Sequence, residues 1–125
     1  MGTNPKSSLL EAQLAFAEKL NYLLEREGLS QAALGRALKA RKAGVADKTL
    51  SNISRAAHPS QVDNFAAIAD HFGLPLWTMF VPGLPVEFLD KAMSDRLAKL
   101  VDDYVHCDDA DRLDVEKMAA RYRPK

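Results

Sequence analysis

The sequence is poor in several features that would each point to a function. It has a single cysteine, Cys107, so no internal disulfide framework can form. No apolar run approaches the roughly 18 residues that read as a membrane span. Met1–Ser8 is polar and no small-residue cleavage site follows an apolar stretch, so a secretory leader is not expected and a cytoplasmic location is. Alternating apolar and polar runs rich in Val, Ile and Thr, the mark of strands, are missing. Metal-ligand spacing is missing too: His58, His71 and His106 are scattered, and Cys107 beside His106 is no cluster. Asp102, Asp103, Asp108 and Asp109 lack calcium-loop spacing. Ser51 and Ser54 have neither a nearby base in sequence nor a nucleophile elbow, so no catalytic residue, metal or cofactor is expected.

Net charge is zero, but its distribution is uneven. Residues 1–60 hold nine Lys/Arg against five Asp/Glu; residues 61–125 hold eight against twelve. Between positions 36 and 55 stand Arg36, Lys39, Arg41, Lys42, Lys48 and Arg55 with Asp47 as the one acid. Such a stripe on a neutral chain suits a local phosphate footprint, although a solvated helix face has the same composition.

Helical spacing recurs throughout. Leu10, Leu14, Ala17, Leu20 and Leu24 share one face of a first helix, capped by Ser7 or Ser8 and stopped at Gly28. Ser30 suits the N-cap of a second helix reaching Leu38, and Asp47 that of a third reaching about Arg55. His58-Pro59-Ser60 breaks the chain. Ser60 and Asp63 resemble a capping box opening a fourth helix, whose face is Phe65, Ile68, Ala69 and Phe72 and whose end is Gly73. Pro75 fits the first position of a short fifth helix through Phe80, with Trp77 as a lid on the core. Val81-Pro-Gly-Leu-Pro85 reads as a linker. Two further stripes follow, Leu97–Tyr104 and Val115–Tyr122, the second capped by Asp108. The expected division is therefore a domain over 8–81 and a helical extension over 86–125.

At this point the residues resemble the phage repressor and Cro-type (XRE-like) helix-turn-helix regulators. The likeness runs through Phe16-Ala-Glu-Lys-Leu20, Gly28-Leu-Ser-Gln-Ala-Ala-Leu-Gly35, Gly44-Val45, Leu50-Ser-Asn-Ile53, Phe65-Ala-Ala-Ile-Ala69 and Phe72–Phe80, about residues 16–80. It implies an all-α fold: a five-helix repressor-like helix-turn-helix bundle with a lengthened turn, followed by a two-helix C-terminal extension. Leu34, Leu38, Val45, Leu50 and Ile53 would pin the second and third helices, and Gly35 would let two helices approach closely. The sequence departs from the family at Lys39–Ala43, an apparent insertion, at Ala46 in place of a capping Ser or Thr, and at Ala56 in place of a helix-ending glycine.

The resemblance implies sequence-specific binding of double-stranded DNA for transcriptional control, with helix 47–55 lying in the major groove. Lys48, Thr49 and Asn52 are the expected base contacts. Gln31, Lys39, Arg41, Lys42 and Arg55 are the expected phosphate contacts. A pseudo-palindromic operator and a homodimer follow, with the extension dimerising or bracing the dimer. An antitoxin that also binds a toxin, or a protein-interaction module without DNA binding, are the competing readings. An enzyme is not expected. A cyanase needs a catalytic segment with strands, and a self-cleaving Ser–Lys domain needs more than the roughly forty residues after Pro85.

Overall fold

The computed structural model describes residues 5–58 and 60–124, with the side chains of residues 5–8 outside the description. It comprises α1 (Pro5–Glu27), α2 (Gln31–Ala40), α3 (Asp47–Ser54), α4 (Val62–His71), α5 (Leu76–Met79), a 3-10 turn (Val86–Leu89), α6 (Lys91–Val105) and α7 (Asp109–Tyr122). Among the described residues there is no strand, so the all-helical expectation holds. Met1–Asn4 and Pro59, the proline of the expected chain break, lie outside the described residues.

Four of these helices end in the same way. In α1, Gly28 N–H donates to the Glu25 carbonyl (3.2 Å) and Leu29 N–H to that of Leu24 (2.8 Å). In α4, Gly73 donates to Asp70 and Leu74 to Ala69, both at 3.0 Å. These paired bonds need a left-handed residue at the turn, and Gly28 (φ +66°) and Gly73 (φ +70°) supply it without steric cost. The ends of α2 and α3 carry the same pair of bonds without glycine. Lys42 donates to Lys39 (3.0 Å) and Ala43 to Leu38 (2.9 Å); Ala56 donates to Ile53 (3.1 Å) and Ala57 to Asn52 (2.9 Å). Lys42 (φ +59°) and Ala56 (φ +52°) take the left-handed position there.

The start signals divide. Ser30 accepts from Ala33 N–H at 3.0 Å and caps α2, and Asp108 accepts from Asp111 N–H at 2.9 Å and caps α7. Asp47 does not cap α3: the cap position is Ala46, without a side-chain bond, and Asp47 is the first helical residue. Ser60 and Asp63 form no capping box either. Gln61 occupies the cap position of α4, and the Ser60 hydroxyl instead accepts from Asn64 Nδ2 at 2.8 Å. Pro75 is the cap of α5 rather than its first residue. α1 begins at Pro5, ahead of both Ser7 and Ser8.

The chain divides into two compact units, Met1–Ser94 and Asp95–Lys125. In the first, Phe16, Phe65 and Phe80 form a triangle with ring centroids 4.7–5.2 Å apart. Around it Leu20, Leu23, Leu34, Leu38, Leu50, Ile53 and Ile68 are almost wholly buried. The unit continues past Pro85 because α1 grips the chain on both sides of it. The buried Lys19 ammonium donates to the Val81 carbonyl, Arg26 Nη1 donates to that of Leu89 at 2.9 Å, and the Leu89 side chain is fully buried. Lys19 and Arg26 are seven apart and so share a face of α1. Burial lowers the Lys19 pKa, with Glu18 opposing.

Two apolar expectations fail. Leu10 and Leu14 are 48% and 52% exposed although Ala17, Leu20 and Leu24 on the same predicted stripe are buried, because the N-terminal turns of α1 are not covered on that side. Trp77 is no lid on the core: it is 41% exposed, while its neighbours Thr78 and Met79 take the inward positions of α5.

The second unit contains the rest of α6 and α7. Arg112 closes its turn by donating to the Tyr104 carbonyl at 3.1 Å, to the Val105 carbonyl and to Asp109 Oδ1 at 3.1 Å. None of its described residues is buried.

Candidate nucleic-acid interface

α2 and α3 are short helices in direct contact, joined by residues 41–46. Apolar residues hold each in place. Leu34 and Leu38 of α2, Val45 of the connector, and Leu50 and Ile53 of α3 are all buried in one core. Gly35 sits at the closest approach. A Cβ built on it would lie 3.0 Å from Asp47 Oδ1 and 3.3 Å from Leu50 Cδ1, so any side chain would crowd the α2–α3 junction. The same distances place the Asp47 carboxylate back over α2. The acid at the front of α3 thus leans on its neighbouring helix rather than capping its own.

α2 extends to Ala40, beyond the Leu38 boundary expected from sequence, so Lys39 lies in its last turn and the connector proper begins at Arg41. Lys39, Arg41 and Lys42 are all exposed. Lys39 and Arg36, one turn apart on α2, line a concavity of about 420 Å³ with Gly35, Gly44, Val45, Ala46 and Asp47. Arg36 was not among the expected contacts. Its i, i+3 relation to Lys39 was the available clue.

α3 has two distinct faces. Leu50, Ile53 and Ser54 are buried; Lys48 is exposed, and Thr49 and Asn52 are half-buried. Lys48 and Asn52, four apart, share a face. Asn52 Oδ1 accepts from Arg55 Nη2 at 3.2 Å, and Arg55 Nε donates to the Ser51 carbonyl at 3.3 Å. Arg55 therefore folds back along the helix end, and the Asn52 amide group is oriented by it. Ala46 offers α3 no side-chain cap, so among the described residues no cap bond meets the backbone N–H groups of its first turn.

Gln31 is exposed in the first turn of α2, where its Nε2 donates to Ser54 Oγ at 2.8 Å. Ser54 Oγ in turn donates to the Ser51 carbonyl (2.9 Å), while the Ser54 carbonyl accepts from Asn21 Nδ2 (3.0 Å). Ser54 thus ties α3 to both α1 and α2. No sequence pattern marked Asn21 or Ser54 for this role, since the bonded residues lie 33 and 23 positions apart.

His71, at the end of α4, lies near the connector. Its Nδ1 is buried without a hydrogen-bond partner among the described residues. Burial holds its pKa below the ordinary histidine value, the Arg41 charge adds to that, and Glu27 opposes it.

The eight expected contacts thus fall into groups. Lys48, Thr49 and Asn52 stand along α3 with Arg55 at its end. Lys39, Arg41 and Lys42 follow one another where α2 gives way to the connector, and Gln31 bridges the two helices. No protein-family model, curated protein or solved structure matches the chain.

Proposed function

We propose that residues 31–54 act as a helix-turn-helix of repressor type and that the protein is a sequence-specific DNA-binding regulator of transcription. One observation carries the reading: α3 turns Leu50 and Ile53 into the core while Lys48 is exposed and Thr49 and Asn52 are half-buried, and the chain leading into α3 carries the exposed cations Lys39, Arg41 and Lys42. With its side chains an α-helix is about 10–12 Å across, which fits the roughly 12 Å width of the B-DNA major groove. Asn52 supplies the amide that can pair with adenine N6 and N7, and Lys48 a donor for guanine O6 and N7. The cations at the end of α2 and in the connector contact phosphates and set the register without reading sequence. An operator of two half-sites, bound by two copies of the chain, gives one short helix per half-site enough specificity.

Selection of bound fragments from random duplex DNA tests this, followed by titration of wild type and Asn52→Ala on the selected site and on unrelated DNA at one salt concentration. The expected outcome is enrichment of a defined site and a loss of about 1–3 kcal/mol for the variant on that site alone. Equal loss on both DNAs makes Asn52 a phosphate or structural residue. Failure of wild type to retain any duplex at low salt overturns the proposal and leaves a protein-binding role.

A further inference from the structure

Arg55 is the C-cap residue of α3 and is exposed, yet its side chain turns back along the helix. Nε donates to the Ser51 carbonyl at 3.3 Å and Nη2 to Asn52 Oδ1 at 3.2 Å, so two donors of one planar guanidinium are spent on α3 itself. The fork rests on fixed points. The Ser51 carbonyl also accepts from Ser54 Oγ at 2.9 Å, and Ser54 is buried and bonded to Asn21 and Gln31. The Asn52 carbonyl accepts from Ala57 N–H at 2.9 Å, which holds the backbone beneath the amide. Among the described residues Arg55 forms no ion pair, so no acid draws the guanidinium away.

A guanidinium carries donors and no acceptor. It can face the oxygen of the Asn52 amide but never the nitrogen, so it selects one orientation about a terminal torsion that is otherwise broad and nearly two-fold. That orientation decides which base fits. In the major groove adenine presents N7 as an acceptor and N6–H as a donor, whereas guanine presents two acceptors, N7 and O6. The Asn52 oxygen has one lone pair on Arg55 and a second one free. The held amide therefore completes adenine, with Nδ2 donating to N7 and Oδ1 accepting from N6–H. Opposite guanine the same oxygen meets O6, acceptor against acceptor. An amide free to turn loses this distinction, because its NH2 group can swing toward O6. We propose that Arg55 is a positioning residue for base recognition: it fixes the Asn52 amide before DNA arrives and so makes α3 prefer adenine over guanine at the base pair that Asn52 faces. Holding the reader in its bound orientation lowers the ordering cost at contact. The part differs from the phosphate contact that the resemblance assigns to Arg55, and it rests on the reading of α3 as the helix that enters the groove.

The test titrates the full chain, at one salt concentration, on its selected duplex and on the same duplex with single base pairs exchanged. Asn52→Ala locates the pair in question as the one where its preference disappears. Arg55→Lys then decides, because lysine keeps the charge that a phosphate needs but has no planar fork to hold the Ser51 carbonyl and the Asn52 oxygen together. In Arg55→Lys the preference for adenine over guanine at that pair should fall by about three- to tenfold. Preferences at the other pairs, binding to unrelated DNA and the salt slope should stay as in wild type. In the Asn52→Ala background the same change should have no further effect at that pair. Wild-type preference in Arg55→Lys, or an equal loss at every pair, overturns the inference and returns Arg55 to a phosphate or a purely structural part. A located pair that is not adenine with thymine, or no located pair at all, overturns it as well. In each of these outcomes the chain still selects a duplex, so the DNA reading stands. Failure of wild type to select any duplex removes that reading, and this inference with it.

Discussion

Gln31 Nε2 donates to Ser54 Oγ at 2.8 Å and so ties the first turn of α2 to the last turn of α3. The bond fixes the angle between the two helices at the end away from the connector. It also occupies one of the donors that the resemblance assigns to a DNA phosphate, leaving the second N–H of the amide for that contact.

Breaking this bond from either side should cost little, and the two losses should not add. Ser54→Ala and Gln31→Ala are each expected to destabilise the protein by about 1 kcal/mol. The double variant should cost about 0.5–1 kcal/mol less than the sum of the two. Urea unfolding of the four proteins measures this coupling; strict additivity would show that the two side chains act independently.

Ala56→Gly should stabilise the fold. A left-handed residue with a Cβ carries a penalty of roughly 1–2 kcal/mol, and the greater freedom of glycine in the unfolded chain offsets part of the gain. A net gain of about 0.5–1 kcal/mol is expected, visible as a rise of a few degrees in melting temperature. The opposite change, Gly28→Ala, should lower it. An Ala56→Gly melt below that of wild type would show that the methyl group packs usefully in spite of its backbone.

Lys42→Gly should move stability and DNA binding in opposite directions. It relaxes the same backbone conformation at φ +59° while removing an exposed cation of the connector. The melting temperature should rise, and the dependence of binding on salt should flatten by about one unit of log–log slope. Arg41→Ala should flatten the slope similarly without the stability gain. Unchanged slopes in both variants would make these charges bystanders.

His71 should make the protein less stable in mild acid. Its pKa is lowered in the folded state, so the native protein holds the neutral ring while the unfolded chain takes up a proton at about pH 6.5. The contribution is complete above that pH and is lost as pH falls through it toward the folded value. Urea midpoints at about pH 7.5 and about pH 5.5 should therefore diverge in wild type and converge in His71→Gln. An equal pH response in the variant would assign the effect to other groups.

How much of this was legible in advance depended on the range of each interaction. The open face of α3 followed from spacing, because Leu50 and Ile53 on one side and Lys48 and Asn52 on the other are consequences of helix geometry alone. The Ser30 and Asp108 caps and the Gly28 and Gly73 stops were equally readable, since each acts within four or five residues of itself. The stop at Lys42 was hidden, because the backbone there adopts what glycine would mark without using glycine; at Ala56 only the resemblance marked the helix end, by the glycine that the family has at that place.

Sequence by itself determined that this chain is helical, where its principal helices lie, and which residues share a face. These are properties of local hydrogen bonding and of the 3.6-residue turn. Only tertiary structure decided which faces are covered. Leu10, Leu14 and Trp77 stand open although their spacing matches that of buried neighbours, and Lys19 is buried although it is charged, because its ammonium meets the Val81 carbonyl. Tertiary structure alone also joined Asn21 and Gln31 to Ser54, across separations that no local pattern spans. Periodicity aligns side chains along a helix; whether another element arrives to cover them depends on chain segments far away in sequence.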